Sequence, residues 1–185
     1  NIITRDILLG SPSISKGEAD IGVLDPNCVN IVVHGHVPWM GAAVIQLAQQ
    51  EEFRNLAREV GAEGIKVYGS MCAGQELLQR PQTARGFAGQ LGNWISQEFI
   101  AGTGLVDLFM MDKNCSTPGL STIINDLKLH TELVPVSQVV KLEGIKIDKN
   151  LIYDPTRVKR QAEKLILLAV EAFKKRNSNN HIPRN

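Results

Sequence analysis

The stretch Val29-Asn30-Ile31-Val32-Val33 decides the fold of this 185-residue chain. It is β-branched, too short for a helix, and bounded by the turn residues Asp25-Pro26-Asn27 before it and by His34-Gly35-His36 after it. This pattern predicts a buried central β-strand. Pro38 then suits the first turn of a helix, where its missing N–H costs nothing, so we expect a helix to follow.

The same succession of strand and helix recurs along the chain. Gly64–Gly69 and Leu105–Met111 are further apolar runs that predict strands, each followed by a helical stretch. Glu132–Val136 predicts a fourth strand, and its Pro135 favours a strand end or an edge position. Strands that alternate with helices are typical of an α/β fold, so we predict a three-layer Rossmann-like domain with a mostly parallel sheet flanked by helices.

The remaining segments predict connections and covering helices. We expect helices over Glu51–Val60 and Asn93–Ala101, and a long last helix with apolar residues at helical spacing from Val158 to Phe173, which should cover the sheet. Gly86–Gly92 is glycine-rich and is interpreted as a connection. Residues 137–153 are expected to be irregular, or to hold a short strand near 144–147.

The length of the chain bounds its organisation. We predict one domain over 28–176, preceded by a lead-in arm, 1–27, and followed by a polar tail or linker, 177–185. The chain opens on Asn1 rather than Met, so we expect both ends to be cut from something longer.

The composition excludes several classes of function. Twenty basic and 19 acidic side chains leave a formal charge of +1, which argues against a nucleic-acid or membrane-surface partner. No apolar run approaches the roughly 20 residues of a membrane span. Three cysteines with no CxxC pair and no secretory segment suit a reducing cytoplasm, where thiols stay free.

Three metal-ligating side chains, His36, Cys72 and Cys115, each lie just past the end of a predicted strand. The carboxyl ends of parallel strands meet at one edge of a sheet, so these residues have a reason to lie together. One imidazole and two thiols suit zinc, copper(I) or an iron–sulfur cluster rather than magnesium or calcium. Cys28 precedes its strand, at the opposite edge, and is interpreted as structural.

Each of these residues also has a structural interpretation. A histidine beside an apolar strand is more often a hydrogen-bonded structural residue than a ligand, and this applies to His34 as well as His36. The start of a helix at Cys72 favours the reactive thiolate, but a free cysteine also serves as a small buried hydrophobe. The chain has no phosphate-binding loop and no nucleophile elbow, and Glu98, Asp107 and Asp112 have no spacing that pairs them.

Four groups of residues form a recognisable set along the chain. They are His34-Gly35-His36-Val37-Pro38, Gly69-Ser70-Met71-Cys72-Ala73-Gly74-Gln75-Glu76, Gln97-Glu98 with Thr103-Gly104, and Asp112-Lys113-Asn114-Cys115. Together they resemble the middle domain of nickel-containing carbon monoxide dehydrogenase. The resemblance runs from about Gly22 to Pro183, in order and with similar spacing.

The resemblance implies a catalytic nickel–iron–sulfur cluster that converts CO and water to CO2, two protons and two electrons. His36 and Cys72 would hold the iron outside the cubane-like part, Cys115 would bind a cluster iron, and His34 would support them. The family's other ligands and proton-handling groups lie in further domains. The isolated chain is therefore expected to be inactive, with the cluster absent or incomplete. The family also implies a cytoplasmic homodimer, a ferredoxin-like electron carrier and, in some members, an acetyl-CoA synthase complex.

One departure from the family pattern stands out, and alternatives remain. Family members commonly have Cys-Cys where this chain has Met71-Cys72, and the retained thiol is the ligating one. Val37-Pro38 and Gly92-Asn93-Trp94 look closer to the archaeal form associated with acetyl-CoA decarbonylase/synthase. The alternatives are a stand-alone zinc- or iron-binding or scaffold module, and a fragment of a hybrid-cluster protein.

Overall fold

The run Val29–Val33 lies in the first strand of a parallel sheet. The computed structural model describes residues 2–112 and 117–178. Its strands are β1 (Val29–His34), β2 (Ile65–Ser70), β3 (Phe87–Gln90), β4 (Leu108–Met111) and β5 (Glu132–Pro135). Its α-helices are α1 (Ile2–Leu9), α2 (Pro38–Ala48), α3 (Glu51–Glu59), α4 (Met71–Gln79), α5 (Pro81–Ala84), α6 (Gln97–Gly102), α7 (Gly119–Asp126) and α8 (Val158–Ser178). Short 3-10 helices span Ile21–Val23 and Trp94–Ser96.

The sheet has the order β3-β2-β1-β4-β5, and each of its four strand pairings is parallel. β1 is central and all six of its residues are buried, as expected for a strand covered on both faces. The chain builds outward from β1 in one direction through β2 and β3, and in the other through β4 and β5. The predicted α/β fold with a parallel sheet is confirmed.

Side chains that alternate along the strands supply two hydrophobic layers. Ile31 and Val33 face the layer that includes α2, α3, α4 and α8, whereas Val32 and Phe109 face the layer that includes α6 and α7. The last helix covers the sheet as predicted, through a buried stripe at helical spacing. The apolar members of this stripe are Ala162, Leu165, Ile166, Ala169, Val170, Ala172 and Phe173.

The structure corrects one prediction about the connections and decides between the two alternatives given for another. The glycine-rich stretch Gly86–Gly92, interpreted as a connection, contains the edge strand β3. Glycine weakens a strand signal, but here it is needed because a Cβ on Gly89 would lie 3.0 Å from Val23 Cγ2 and 3.2 Å from the carbonyl oxygen of Glu18. Within 137–153, the structure shows turns and bends but no strand near 144–147.

The segment predicted as a lead-in arm carries α1 and packs against the α4–α5 corner. The buried guanidinium of Arg80 hydrogen-bonds Asp6, and it donates to the carbonyl oxygen of Gly10 at 2.6 Å. Ala19 forms an isolated parallel bridge with Gln90, which extends the edge of the sheet beyond β3. None of the helices in 2–112 and 117–178 is both long and apolar enough to cross a membrane.

Candidate metal-binding edge

The carboxyl ends of β1, β2 and β4 lie side by side at one edge of the sheet. His34, the last residue of β1, is the register partner of Ser70 in β2 and of Met111 in β4. The segments that follow β1, β2 and β4 therefore begin side by side. The first two carry His36 and Cys72, and the third begins at Asp112. The order in which strands are added to the sheet reverses between β1 and β4. Open parallel sheets bind their ligands in the crevice at such a point.

His34 is a buried, packed side chain rather than an open ligand. Only 1% of its surface is exposed, its Nδ1 lies 3.2 Å from Ser70 Oγ, and its ring meets the ring of Phe109 edge-on at 5.8 Å. These contacts tie the end of β1 to β2 and β4. The predicted supporting role of His34 beside the metal ligands stays a prediction.

Gly35 turns the chain sharply between His34 and His36. Its φ is +124°, a region that L side chains rarely adopt, and a Cβ at this position would lie 1.7 Å from Asp112 Oδ1. The backbone at Gly35 therefore makes the turn that the sequence allows there, in a conformation that favours glycine. The turn leaves the side chain of His36 half-buried, just outside the sheet.

Asp112, to which the sequence analysis assigns no role of its own, organises this turn. Its carboxylate accepts the backbone N–H of His36, at 2.8 Å to Oδ1 and 3.0 Å to Oδ2, and also the backbone N–H of Val37. Its own N–H donates to the carbonyl oxygen of His34 at 3.1 Å. The available signal was its place, directly after a strand and beside the crevice, rather than any spacing to another acid.

Cys72 lies in the first turn of α4, which begins directly at the end of β2. Met71 makes this junction with a left-handed φ of +63°, and its N–H donates to the carbonyl oxygen of Gly92 at 3.1 Å. The strand and helix approach closely because Gly69 and Gly74 lack side chains. A Cβ on Gly69 would lie 2.3 Å from the Cα of Gly74. The side chain of Cys72 is exposed at this edge.

One backbone hydrogen bond joins the segments that carry the predicted ligands His36 and Cys72. Ala73 donates its N–H to the carbonyl oxygen of Gly35 at 2.7 Å. His36 follows Gly35 directly and Cys72 precedes Ala73 directly, so the two predicted ligands flank this bond. The first N–H groups of a helix have no partner within it, and here a partner comes from the neighbouring loop.

Cys115, the third predicted ligand, lies outside the described residues. Within 2–112 and 117–178 no group of three or more His, Cys, Asp or Glu side chains is placed to hold a metal ion. The donor types that are described, one imidazole and one exposed thiol at the same edge, fit iron, nickel or zinc. The residues are thus chemically suited to a metal site that takes further ligands from elsewhere.

Two other features of the fold lie apart from this pair. Cys28 lies just before β1, at the opposite edge, as predicted; it is buried, and burial raises the pKa of its thiol to about 11. A cavity of about 450 Å3 opens beside Val37 and Asp112 and extends to Arg5 and Tyr153. Neither His36 nor Cys72 lines this cavity.

Comparison with known proteins identifies relatives over nearly the whole chain. Residues 3–182 match the sequence profile of the Prismane/CO dehydrogenase family. The chain is 44% identical over 173 residues to the carbon monoxide dehydrogenase of Archaeoglobus fulgidus. This match covers 94% of this chain and 27% of that relative. The chain therefore spans about a quarter of the length of that curated relative.

Solved structures agree with the sequence relatives. Carbon monoxide dehydrogenase IV from Carboxydothermus hydrogenoformans matches with a TM-score of 0.81 and 31% identity, over 98% of this chain and 27% of that one. A chain from the structure of NiZn[Fe4S4] and NiNi[Fe4S4] clusters in closed and open alpha subunits of acetyl-CoA synthase/carbon monoxide dehydrogenase matches with a TM-score of 0.83 and 33% identity. That match covers 95% of this chain and 24% of the other.

Proposed function

Because this chain belongs to the Prismane/CO dehydrogenase family, we propose that it is the central, metal-binding part of a carbon monoxide dehydrogenase. The reaction of the whole enzyme would be CO + H2O to CO2 + 2 H+ + 2 e−. The curated relative named above supports this function over a stand-alone zinc- or iron-binding module and over a hybrid-cluster protein fragment.

The observation that carries the proposal is the hydrogen bond between Ala73 N–H and Gly35 C=O. The bonded residues are 38 positions apart in the sequence and meet at one edge of the sheet. His36 and Cys72 lie next to them. An imidazole and a thiolate suit iron in a nickel–iron–sulfur cluster. The cluster, when bound, would supply the redox chemistry and the site at which CO and water react.

The chain's own residues have holding and orienting roles in this proposal. His36 and Cys72 would hold one iron, Cys115 would hold another cluster iron, and His34 would keep the end of β1 in place through Ser70 and Phe109. The remaining ligands would come from parts of the relatives that this chain does not span. We therefore propose that the isolated chain is inactive, because metal binding and a complete ligand set depend on each other.

The proposal includes a setting for the whole enzyme. It would work in the cytoplasm as a homodimer, pass electrons to a ferredoxin-like carrier, and could serve an acetyl-CoA synthase complex. The similarity to carbon monoxide dehydrogenase/acetyl-CoA synthase subunit beta of Moorella thermoacetica, 33% identical over 175 residues, supports the last point.

The test compares two cysteines in the protein encoded by the complete reading frame that contains this segment. Cys72→Ala is expected to abolish CO-dependent reduction of a viologen dye and to lower the iron and nickel content of the purified enzyme. Cys28→Ala, at the opposite edge, is the matched control and should keep both. Cys72→Ala should cost only about 1 kcal/mol of stability, because the thiol is exposed. Full activity of Cys72→Ala would refute the proposed ligand role.

A further inference from the structure

The carboxylate of Asp112 occupies the place where this class of fold usually receives an anion. In open parallel sheets, anionic ligand groups bind at the crevice where the strand order reverses, against backbone N–H groups at the start of the helix that follows the first strand. Here that crevice lies between β1 and β4, and the helix is α2. Asp112 follows β4 and accepts the N–H groups of His36 and Val37, directly before α2.

The carboxylate of Asp112 bonds to the turn that carries His36. The backbone alone already joins the end of β4 to β1, because the N–H of Asp112 donates to the carbonyl oxygen of His34. The carboxylate adds hydrogen bonds one and two residues beyond Gly35, at His36 and Val37. It is 5% exposed, so these charge-assisted hydrogen bonds are largely shielded from water.

The turn is shaped to admit the carboxylate. Only a residue without a Cβ leaves room beside Asp112 Oδ1, and Gly35 supplies that room with a φ that favours glycine. The carbonyl oxygen of the same glycine accepts the N–H of Ala73. Asp112 on one side and α4 on the other therefore fix the backbone of the turn immediately before His36.

We propose that Asp112 is a positioning residue for the metal site, acting through His36. Its carboxylate fixes the backbone from which the imidazole extends, so that His36 is held in place on the same edge as Cys72 before any metal binds. This inference rests on the proposed ligand role of His36. In this proposal Asp112 acts through the backbone of His36 and is not itself a metal ligand.

The chain contains a matched control at the opposite edge of the sheet. Asp107, one residue before β4, is also a buried carboxylate that accepts a backbone N–H, from Asn30 at 2.8 Å. Its other partner is Arg176 of α8, at 2.9 Å between Oδ1 and Nε. Replacing Asp107 removes a buried carboxylate from the same part of the chain without touching the turn at His36.

The experiment is a double-mutant cycle in the complete protein, purified without oxygen. Iron retained against increasing concentrations of an iron chelator gives an apparent iron affinity, and circular dichroism confirms that each variant is folded. Asp112→Asn keeps the size of the side chain but puts an amide group where two N–H groups need acceptors. It is expected to lower the apparent iron affinity about 10–100-fold, as loss of a ligand-orienting partner does. Asp112→Glu should recover part of the loss.

The coupling decides whether Asp112 acts through His36. If it does, the double variant His36→Ala/Asp112→Asn should retain iron as poorly as His36→Ala and no worse. Asp107→Asn should leave the iron per folded protein unchanged. Unchanged iron affinity in folded Asp112→Asn, or losses that add in the double variant, would overturn the inference. If Asp112→Asn does not fold, normal iron affinity in Asp112→Glu together with a lower melting temperature would overturn it.

The two proposals fail in different ways. Unchanged iron retention in His36→Ala would refute the ligand role and the positioning role together. Loss of iron in His36→Ala, with normal iron affinity in folded Asp112→Asn, would leave the ligand role standing and refute only the inference about Asp112.

Discussion

Ala73 and Gly35 are joined by a 2.7 Å hydrogen bond between the segments that follow two neighbouring strands. The donor is the third residue of α4, and the acceptor is the carbonyl of the glycine that turns the chain after β1. The bond fixes the relative positions of the two loops through backbone atoms alone. Its strength therefore depends on the shape of the turn at Gly35 rather than on the side chains of the predicted ligands.

Gly35→Ala is expected to lower the free energy of unfolding by at least about 2 kcal/mol. The added Cβ would lie 1.7 Å from Asp112 Oδ1, on a backbone with a φ of +124°. Gly64→Ala is the matched control, because its Cβ would meet nothing within 4 Å, and it should change stability by no more than about 0.5 kcal/mol. Urea denaturation followed by circular dichroism measures both, and equal effects at the two glycines would contradict the prediction.

Met71 is expected to reverse the usual order of alanine and glycine in a helix. Because its φ is +63°, Met71→Gly should be about 1 kcal/mol more stable than Met71→Ala. At Gln75, an exposed position one turn further along α4, alanine should be the more stable by about 1 kcal/mol. Thermal denaturation of the four variants makes the comparison. The same order at both positions would show that the left-handed turn at Met71 is wrong.

Asp107 is expected to make folding depend on pH between about 4 and 6. Burial raises the pKa of its carboxyl to about 6 from an ordinary value of 3.8, against the opposing effect of hydrogen bonds from Arg176 and Asn30. In this window the native state holds a proton that the unfolded state has released, so the contribution of Asp107 to stability falls as the pH rises. The wild type should lose roughly 1–3 kcal/mol relative to Asp107→Asn across the window.

This comparison isolates Asp107, since the other carboxyl groups titrate in both proteins. Chemical denaturation at pH 4, 5, 6 and 7 gives the difference in the free energy of unfolding. A difference that stays constant, or that moves in favour of the wild type as the pH rises, would contradict the raised pKa.

The two described cysteines are expected to differ in reactivity. Cys72 is exposed, whereas Cys28 is buried with a thiol pKa of about 11, so at pH 8 only about one in a thousand Cys28 thiols is ionised. Iodoacetamide should modify Cys72 at least about tenfold faster than Cys28 in the folded chain. Peptide mapping by mass spectrometry measures the two rates separately, and denatured protein, in which both should react, is the control. Similar rates in the folded chain would count against the burial of Cys28.

The sequence predicts much of the fold because local patterns and burial agree. The run Val29–Val33 is β-branched and all of it is buried in the central strand, and α8 buries the apolar stripe that its spacing indicates. The strand β3 escaped prediction because Gly86 and Gly89 weaken a strand signal. Their small size is required by neighbours, Ile45 and Val23, that are distant in the sequence.

The sequence predicts where the proposed ligands lie in the fold, but not the residues that support them. His36 and Cys72 could be identified because each follows a strand signal, and the structure places their loops together. The role of Asp112 depends on a contact between residues 76 positions apart, which no local pattern indicates. The left-handed φ of Met71 likewise follows from the close packing of β2 against α4 rather than from its own side chain. Cys115 lies outside the described residues, and its ligand role stays a prediction.

The order of the strands in the sequence determines how late in synthesis this edge of the sheet can form. β1 is made first, but the turn after it takes its shape from Asp112, which is synthesised 76 residues later than His36. A growing chain that has emerged only as far as α4 already carries His36 and Cys72, yet it lacks the carboxylate that fixes the turn. The metal binding proposed for this edge would therefore be a late event, one that follows the pairing of β4 with β1 and does not guide the earlier steps of folding.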